Sequence, residues 1–468
     1  MDRPTILDYV EGELRPFSDL RLNAVDSLVL CQLAYLRLAE TFPEAATERG
    51  LELRDLHRAE CAHGLYGGMR DAAENHRLIA ALAASPRFRE ARVRFAVNRV
   101  NPAHEKQFAA ATFELPGAGT YVAFRGTDAS VTGWKEDFNL AVRYLVPSQE
   151  DALHYLEMVA ACSQGALYMG GHSKGGNLAV YAAARATDAV RARLVRVFDH
   201  DGPGFPATVA QTPRFRAAAT LVDKTVPEDS VVGQLLTSVC AARVVRSAAT
   251  GIMQHDPYSW EVDLDQAEFA PGQLSRYAQH AQRSIAGWVA SMDPLERRQF
   301  VDALFDMLGA AGPDVELRRI DPDRARALGR AMAANQDESA QIGGALGKLA
   351  KAAAEARFPE GAPLFSRLSG EGATERALTA RDAGRNGAAA RDASGSAAQT
   401  ALGAQAPAGN ARRPLFTVVH PGDAAPASKA GRAAKNQDGR ADNAASHGAD
   451  ARKENQTTKE GDGEHGGD

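Results

Sequence analysis

The chain has 468 residues, of which 44% are hydrophobic, 24% are charged and only 6% are aromatic. Its formal net charge of -5 at pH 7 offers no electrostatic basis for binding nucleic acid. The sequence contains no run of about 18 to 20 apolar residues, so we expect no membrane span. Residues 1–14 contain acids where a signal peptide needs basic and apolar residues, which predicts a cytoplasmic protein.

The cysteines are far apart in the sequence and form no C-x-x-C pair. This spacing is typical of a protein in a reducing compartment and predicts no zinc site. The sequence also lacks a phosphate-binding glycine loop and a dinucleotide fingerprint, so we expect no metal and no cofactor. The cysteines are Cys31, Cys61, Cys162 and Cys240.

Residues 1–90 are predicted to form a helical segment that packs on the core of the protein. Apolar residues at Val25, Leu28, Val29 and Leu33 recur at helical spacing. A second helix is expected over residues 69–82, ahead of a proline.

Residues 91–270 alternate between short apolar runs and helical stretches. The first two runs pair with the third through a turn at residues 116–119, and helices over residues 149–162 and 175–185 separate later runs. Strands separated by helices predict an α/β fold with a mostly parallel sheet covered on both faces. The predicted strands are 93–100, 108–115, 121–124, 166–169, 194–198, 219–222 and 243–245.

Residues 271–360 are predicted to form a C-terminal helical annex, with helices over residues 274–292 and 324–356. The sequence does not distinguish between a cap, a dimerisation element and a simple helical addition.

Residues 370–468 are predicted to be a disordered, low-complexity tail. They contain almost no large apolar side chains, and Phe416 is their only aromatic residue. Such a segment buries too little surface to offset the entropy of ordering. The apolar island at residues 412–420 is either a docking segment for a protein partner or a chance patch.

The most informative stretch is Gly171-His172-Ser173-Lys174-Gly175, which fits the G-x-S-x-G nucleophile elbow. An apolar strand runs into this motif and a helix of small residues leaves it, which is the strand–turn–helix arrangement that exposes a serine nucleophile. Glycines are needed at the flanking positions because a Cβ atom there would collide with neighbouring backbone. The alternative interpretation is a glycine-rich turn with an ordinary serine.

A serine nucleophile needs a base, and the base needs an acid to orient it. These partners are expected in the loops that follow later strands, where the only histidines are His200 and His255. We predict His255 as the base, because a long loop after the last strand reaches back over the serine, and a structural role for His200. We predict Asp229 as the acid, with Asp201 as the second candidate because its loop lies one strand closer to the serine.

Two backbone N–H groups are expected to stabilise the oxyanion. One belongs to Lys174, the residue after the nucleophile. The other is predicted at Thr127, where an apolar strand ends in Arg125-Gly126-Thr127. Gly126 allows a close approach of the backbone, and Arg125 is expected to have a structural role.

Taken together, these motifs resemble lipase class 3 and its relatives, especially a bacterial family of hydrolase-fold proteins with the elbow G-H-S-K-G-G. The similarity includes F-R-G-T at residues 124–127, Trp134 and Asp137, and covers roughly residues 5–290. It implies an α/β-hydrolase fold and a triad of Ser173, Asp229 and His255. One departure is Val232, which stands where that group has a proline after the acid.

The first functional hypothesis is a serine hydrolase, lipase- or esterase-like, that cleaves a carboxylic ester through an acyl-enzyme intermediate. Its substrate would be a small acyl ester or a lipid of undetermined acyl length. The alternative is a hydrolase-fold protein that binds or scaffolds a partner with little or no catalysis.

Overall fold

The computed structural model describes residues 3–69, 71–128, 131–142, 145–309 and 336–356. The chain divides into two units at Ala380 and Arg381, and all of these residues belong to the first unit. The predicted tail, its apolar island at residues 412–420 and the first half of the helix predicted over 324–356 lie outside the described residues.

The centre of the protein is an eight-stranded sheet whose strands follow one another in sequence order. The first four strands are antiparallel neighbours, and β4 to β8 run parallel to one another. Two further strands form a small separate sheet. The strands are β1 (Leu51–Glu52), β2 (Arg92–Asn101), β3 (Lys106–Leu115), β4 (Gly119–Phe124), β5 (Leu167–His172), β6 (Leu194–His200), β7 (Val222–Pro227), β8 (Ala242–Val245), β9 (Val262–Asp263) and β10 (Glu268–Phe269).

Short 3₁₀ turns supplement the α-helices, and the turn Gly251–His255 leads to the candidate base. The helices are α1 (Ile6–Gly12), α2 (Ala24–Leu33), α3 (Leu38–Thr41), α4 (Ala62–Tyr66), α5 (Ala72–Ala84), α6 (Val131–Val142), α7 (Pro147–Ala161), α8 (Lys174–Arg185), α9 (Asp188–Arg191), α10 (Ala207–Ala210), α11 (Pro213–Ala219), α12 (Arg276–Ala290), α13 (Pro294–Gly309) and α14 (Gln336–Glu355).

Side chains alternate along each strand, so both faces of the sheet carry apolar side chains. Helices cover both faces and bury these side chains in two cores. In β4, Tyr121 and Ala123 join a core formed with the N-terminal helices. Val122 and Phe124 point to the other face and join a second core formed with α7 and α8. The mostly parallel sheet with helices on both faces confirms the predicted α/β-hydrolase-type fold.

The strand predicted over residues 219–222 is misplaced. Residues up to Ala219 continue helix α11, and β7 begins only at Val222. The run Ala217-Ala218-Ala219 favours helix. The observed strand contains Lys224, and a charged residue is not typical of a buried strand. The Lys224 side chain is nevertheless buried against Asp199, with Nζ and Oδ2 2.8 Å apart.

The annex helices contact one another and the helix that follows β4. The indole N–H of Trp288 in α12 donates to the carbonyl oxygen of Ala345 in α14 at 2.8 Å. The ring of Phe305 in α13 packs edge-to-face on Phe138 in α6, with centroids 5.5 Å apart. Within the described ranges, no helix combines the length and the apolar character needed to cross a membrane.

Candidate active site

Ser173 occupies a strained turn between β5 and α8. Its φ of 59° and ψ of -131° are unusual for a residue with a side chain. Its backbone is held on both sides, because its N–H donates to the carbonyl of His200 at 2.9 Å and its own carbonyl accepts from Gly176 at 2.9 Å. Ser173 is buried, with 8% of the residue exposed.

The flanking glycines allow backbone segments to approach more closely than any side chain permits. A Cβ atom on Gly171 would lie 2.1 Å from the backbone of Gly175, and one on Gly175 would lie 2.1 Å from the carbonyl oxygen of Phe124. Because both obstacles are backbone, neither can move aside cheaply. The glycines of the motif are therefore required by the packing of the turn.

The structure pairs His255 with Asp201. The Nδ1 atom of His255 lies 2.6 Å from Oδ2 of Asp201. The other carboxylate oxygen accepts from the hydroxyl of Ser230 at 2.5 Å and the backbone N–H of Gly233 at 3.1 Å. Asp201 is completely buried and has a positive φ of 53°, so its carboxylate is fixed by packing as well as by hydrogen bonds.

The sequence prediction that Asp229 orients His255 is corrected by this geometry. The Oδ2 atom of Asp229 accepts from the backbone N–H of Gly251 at 2.7 Å and from the side chain of Gln254 at 3.3 Å. The backbone N–H of Asp229 donates in return to Gln254 at 2.7 Å. Asp229 therefore stabilises the turn before His255. The carboxylate that contacts the imidazole is Asp201, in the loop after β6, and β6 is the strand adjacent to β5.

His255 lies beside the nucleophile elbow. Its carbonyl oxygen is 2.9 Å from Nε2 of His172, and the two rings are tilted by 36° with their centroids 4.5 Å apart. Since His172 immediately precedes Ser173, these contacts place the candidate base at the same edge of the sheet as the serine. The Ser173 hydroxyl and His255 are not hydrogen-bonded to each other, and such contacts often tighten only when substrate binds.

His200 has the structural role expected of it. The ring is completely buried, with Nε2 2.8 Å from the Ser27 hydroxyl and Nδ1 2.7 Å from the Thr225 hydroxyl. Burial lowers the pKa of His200 to about 3, so the ring is neutral at physiological pH.

The loop after β4 lies directly against the serine. A Cβ atom on Gly126 would be 3.0 Å from the Cβ of Ser173 and 2.5 Å from the carbonyl of His172. The Nη2 atom of Arg125, a buried residue, donates to Asn98 at 3.0 Å, in keeping with a structural role. Thr127 follows at the surface of the elbow, where its hydroxyl donates to Oδ2 of Asp137 in α6 at 2.5 Å.

The sequence by itself assigns no role to Asp137. Burial raises the pKa of its carboxyl to about 6, although the charges of Lys174 and His255 and the hydrogen bond from Thr127 oppose this shift. Its Oδ1 atom is buried without a hydrogen-bond partner. The only sign in the sequence that Asp137 belongs to the site is the resemblance that includes Trp134 and Asp137. The contact between Asp137 and Thr127 joins two ends of a loop, so no local sequence pattern predicts it.

Replacing Asp137 with Asn is expected to change how stability depends on pH. In the wild type the folded-state pKa of about 6 exceeds the ordinary aspartate value of 3.8, so the stabilisation that the protonated carboxyl provides is lost as pH rises through that window. Asn keeps an acceptor for Thr127 and does not titrate. The melting temperature of Asp137→Asn minus that of wild type should therefore increase between about pH 4 and pH 6. Below and above this range the difference should be constant. A difference that stays constant with pH in thermal scans would contradict the shifted pKa.

The sheet, the elbow and the His255–Asp201 pair define the class of the protein as α/β-hydrolase-type. A family model described as Mbeg1-like matches residues 82–306. Among solved structures, the chain matches the crystal structure of M37 lipase at 15% sequence identity, covering 40% of this chain and 69% of that one, with a TM-score of 0.27. The search of curated proteins found no match.

Proposed function

We propose that the protein is a serine hydrolase that cleaves a carboxylic ester through an acyl-enzyme intermediate. Ser173 is the nucleophile, His255 the general base and Asp201 the acid that orients the base. The observation that carries this proposal is the pairing of His255 with a buried carboxylate beside a serine in a strained strand–turn–helix junction.

The hydrogen bond from Nδ1 of His255 to Asp201 leaves Nε2 free to accept a proton. Ser173 attacks the ester carbonyl while Nε2 takes the hydroxyl proton, and the imidazolium then protonates the leaving alcohol. Water then attacks the acyl-enzyme, with His255 taking a proton from the water and returning it to Ser173, and the carboxylic acid product is released. No cofactor or metal is needed for either half of the reaction.

The developing oxyanion is bound by the backbone N–H groups of Thr127 and Lys174. Lys174 is the first residue of α8, so the positive end of the helix dipole supports the same charge. The hydroxyl of Thr127 donates to Asp137, and this bond keeps the backbone N–H of Thr127 aligned with the oxyanion.

The surroundings of the base favour an apolar acyl group. Ile252 and Met253, in the turn that leads to His255, are 52% and 54% exposed. Two apolar side chains exposed next to a catalytic base offer a surface for an acyl chain. The substrate class that fits is therefore a small acyl ester or a lipid ester.

A fluorophosphonate probe tests the nucleophile directly, because it forms a covalent bond only with an activated serine. We expect wild-type protein to be labelled, Ser173→Ala to be unlabelled and His255→Ala to be labelled much more slowly. Ser18→Ala, which removes an exposed serine in the N-terminal segment, should be labelled like wild type. Circular dichroism of each variant checks that it is folded.

If folded wild-type protein is not labelled, the hydrolase proposal is wrong and the scaffolding alternative takes its place. With labelling established, p-nitrophenyl esters of increasing acyl length would define the substrate preference. A maximum at medium or long chains is expected from the apolar surface beside His255.

A further inference from the structure

The side chain of Lys174 is buried next to the candidate nucleophile. Its Nζ atom lies 2.8 Å from Oε2 of Glu136 and 3.0 Å from both the backbone carbonyl and the side-chain oxygen of Gln107. These contacts satisfy all three ammonium hydrogens. The two charged side chains are 1% and 0% exposed, so this ion pair is sealed from solvent.

Glu136 connects the pair to two other parts of the fold. Its Oε2 atom also accepts from the backbone N–H of Gln107 at 3.0 Å, at the beginning of β3. Its Oε1 atom accepts from the backbone N–H of Ser148 at 3.1 Å, in the first turn of α7. Helix α6, which carries Glu136, is thus tied to β3, to α7 and to the first residue of α8.

Stability alone does not explain a lysine at this position. A cation in the first turn of a helix opposes the helix dipole. Burying an ion pair costs desolvation that often exceeds the attraction between the charges, so apolar residues of similar volume would serve a core equally well. What the pair supplies is a defined position for α6 relative to the elbow.

That position bears on the oxyanion site, because the residue after Glu136 is Asp137, which holds Thr127. We propose that Lys174 is a positioning residue that aligns both oxyanion donors, one through its own backbone and the other through Glu136, α6 and Asp137. This inference rests on the proposed function, since it assigns Thr127 and Lys174 to the oxyanion site.

The test removes the ion pair and keeps the backbone donor. Lys174→Met/Glu136→Gln is the main variant, because it leaves no unpaired buried charge, and Lys174→Met alone is the second variant. The matched control is Arg87→Met/Asp26→Asn, which removes another completely buried pair, with nitrogen and oxygen 2.6 Å apart, in the N-terminal helical region. Active sites are counted with the fluorophosphonate probe, so that loss of folded protein is not read as loss of rate.

For p-nitrophenyl butyrate, we expect kcat of the Lys174 variants to fall about 10- to 100-fold with KM nearly unchanged. Binding of octyl trifluoromethyl ketone, which forms a tetrahedral oxyanion adduct with the serine, should weaken by the same factor, because both depend on the oxyanion donors. Amide hydrogen exchange over Val131–Val142 should become faster than in wild type. The control should keep its kcat per labelled site and its exchange over α6.

Unchanged kcat and ketone affinity in folded Lys174 variants would overturn the proposal. An equal loss of kcat in the control would also overturn it, because the effect would then be a general consequence of destabilisation. If wild-type protein is not labelled at Ser173, the proposed function has failed on its own. In that case faster exchange over α6 would still support the positioning of this helix by Lys174, and unchanged exchange would overturn it.

Discussion

Asp201→Asn is expected to lower kcat about 10⁴-fold, the loss seen when the acid of a serine triad is made neutral. The Asn oxygen can still accept from Ser230 and Gly233, so its amide group would face His255. An amide donor opposite Nδ1 favours the tautomer that carries the proton on Nε2. In that form the imidazole cannot accept the proton of Ser173.

Asp229→Asn is the matched control, because it changes the acid that the sequence favoured. Its oxygen can still accept from the backbone N–H of Gly251, so the turn before His255 should persist. We expect a loss of less than about tenfold. Rates with p-nitrophenyl butyrate, normalised to labelled sites, separate the two residues. A larger loss in Asp229→Asn than in Asp201→Asn would show that the acid is Asp229.

Thr127→Val is expected to lower kcat on the order of 10²-fold with little change in KM. Valine has nearly the same shape but cannot donate to Asp137, so the backbone of residue 127 loses the bond that aligns it. The ground state of the substrate does not carry the charge that this alignment stabilises, which is why the loss appears in kcat.

Thr127→Ser provides the control for this substitution, since it keeps the hydroxyl. It should retain most of the wild-type kcat, and its affinity for octyl trifluoromethyl ketone should remain close to that of wild type. Equal losses in the valine and serine variants would mean that the bond to Asp137 does not control the rate, because only the valine variant lacks that bond. Measuring kcat and KM of both variants by steady-state kinetics distinguishes these outcomes.

Most of the sheet is predictable from local pattern. The predicted strands at 93–100, 108–115 and 194–198 coincide with β2, β3 and β6, with differences confined to the strand ends. Two strands are exceptions. The two-residue strand β1 lies in the segment predicted to be helical, and in β7 a buried Lys224 breaks the apolar run that marks a strand. Its partner Asp199 is on the neighbouring strand, so no short window of sequence reveals that the charge is compensated.

The nucleophile elbow is a local feature as well. The glycines at 171 and 175 and the apolar strand before them all lie within a few residues of Ser173, and the observed positive φ agrees with the turn expected there. The site beyond the elbow depends on contacts between distant segments. Sequence reasoning found His255 and Thr127 as candidates from the positions of strand ends, and it found no role for Asp137 or Glu136.

By itself, therefore, the sequence determined the α/β class of the fold, the turn that carries Ser173 and a short set of candidate residues around it. Only the tertiary structure decided which carboxylate contacts His255, since Asp201 and His255 are 54 positions apart. The physical reason is that a turn is selected by the conformational preferences of its own residues. A buried hydrogen bond between loops depends instead on which strands are neighbours and on how each loop leaves the sheet. Asp229 and Asp201 follow adjacent strands, and their separate roles follow from packing that local sequence does not encode.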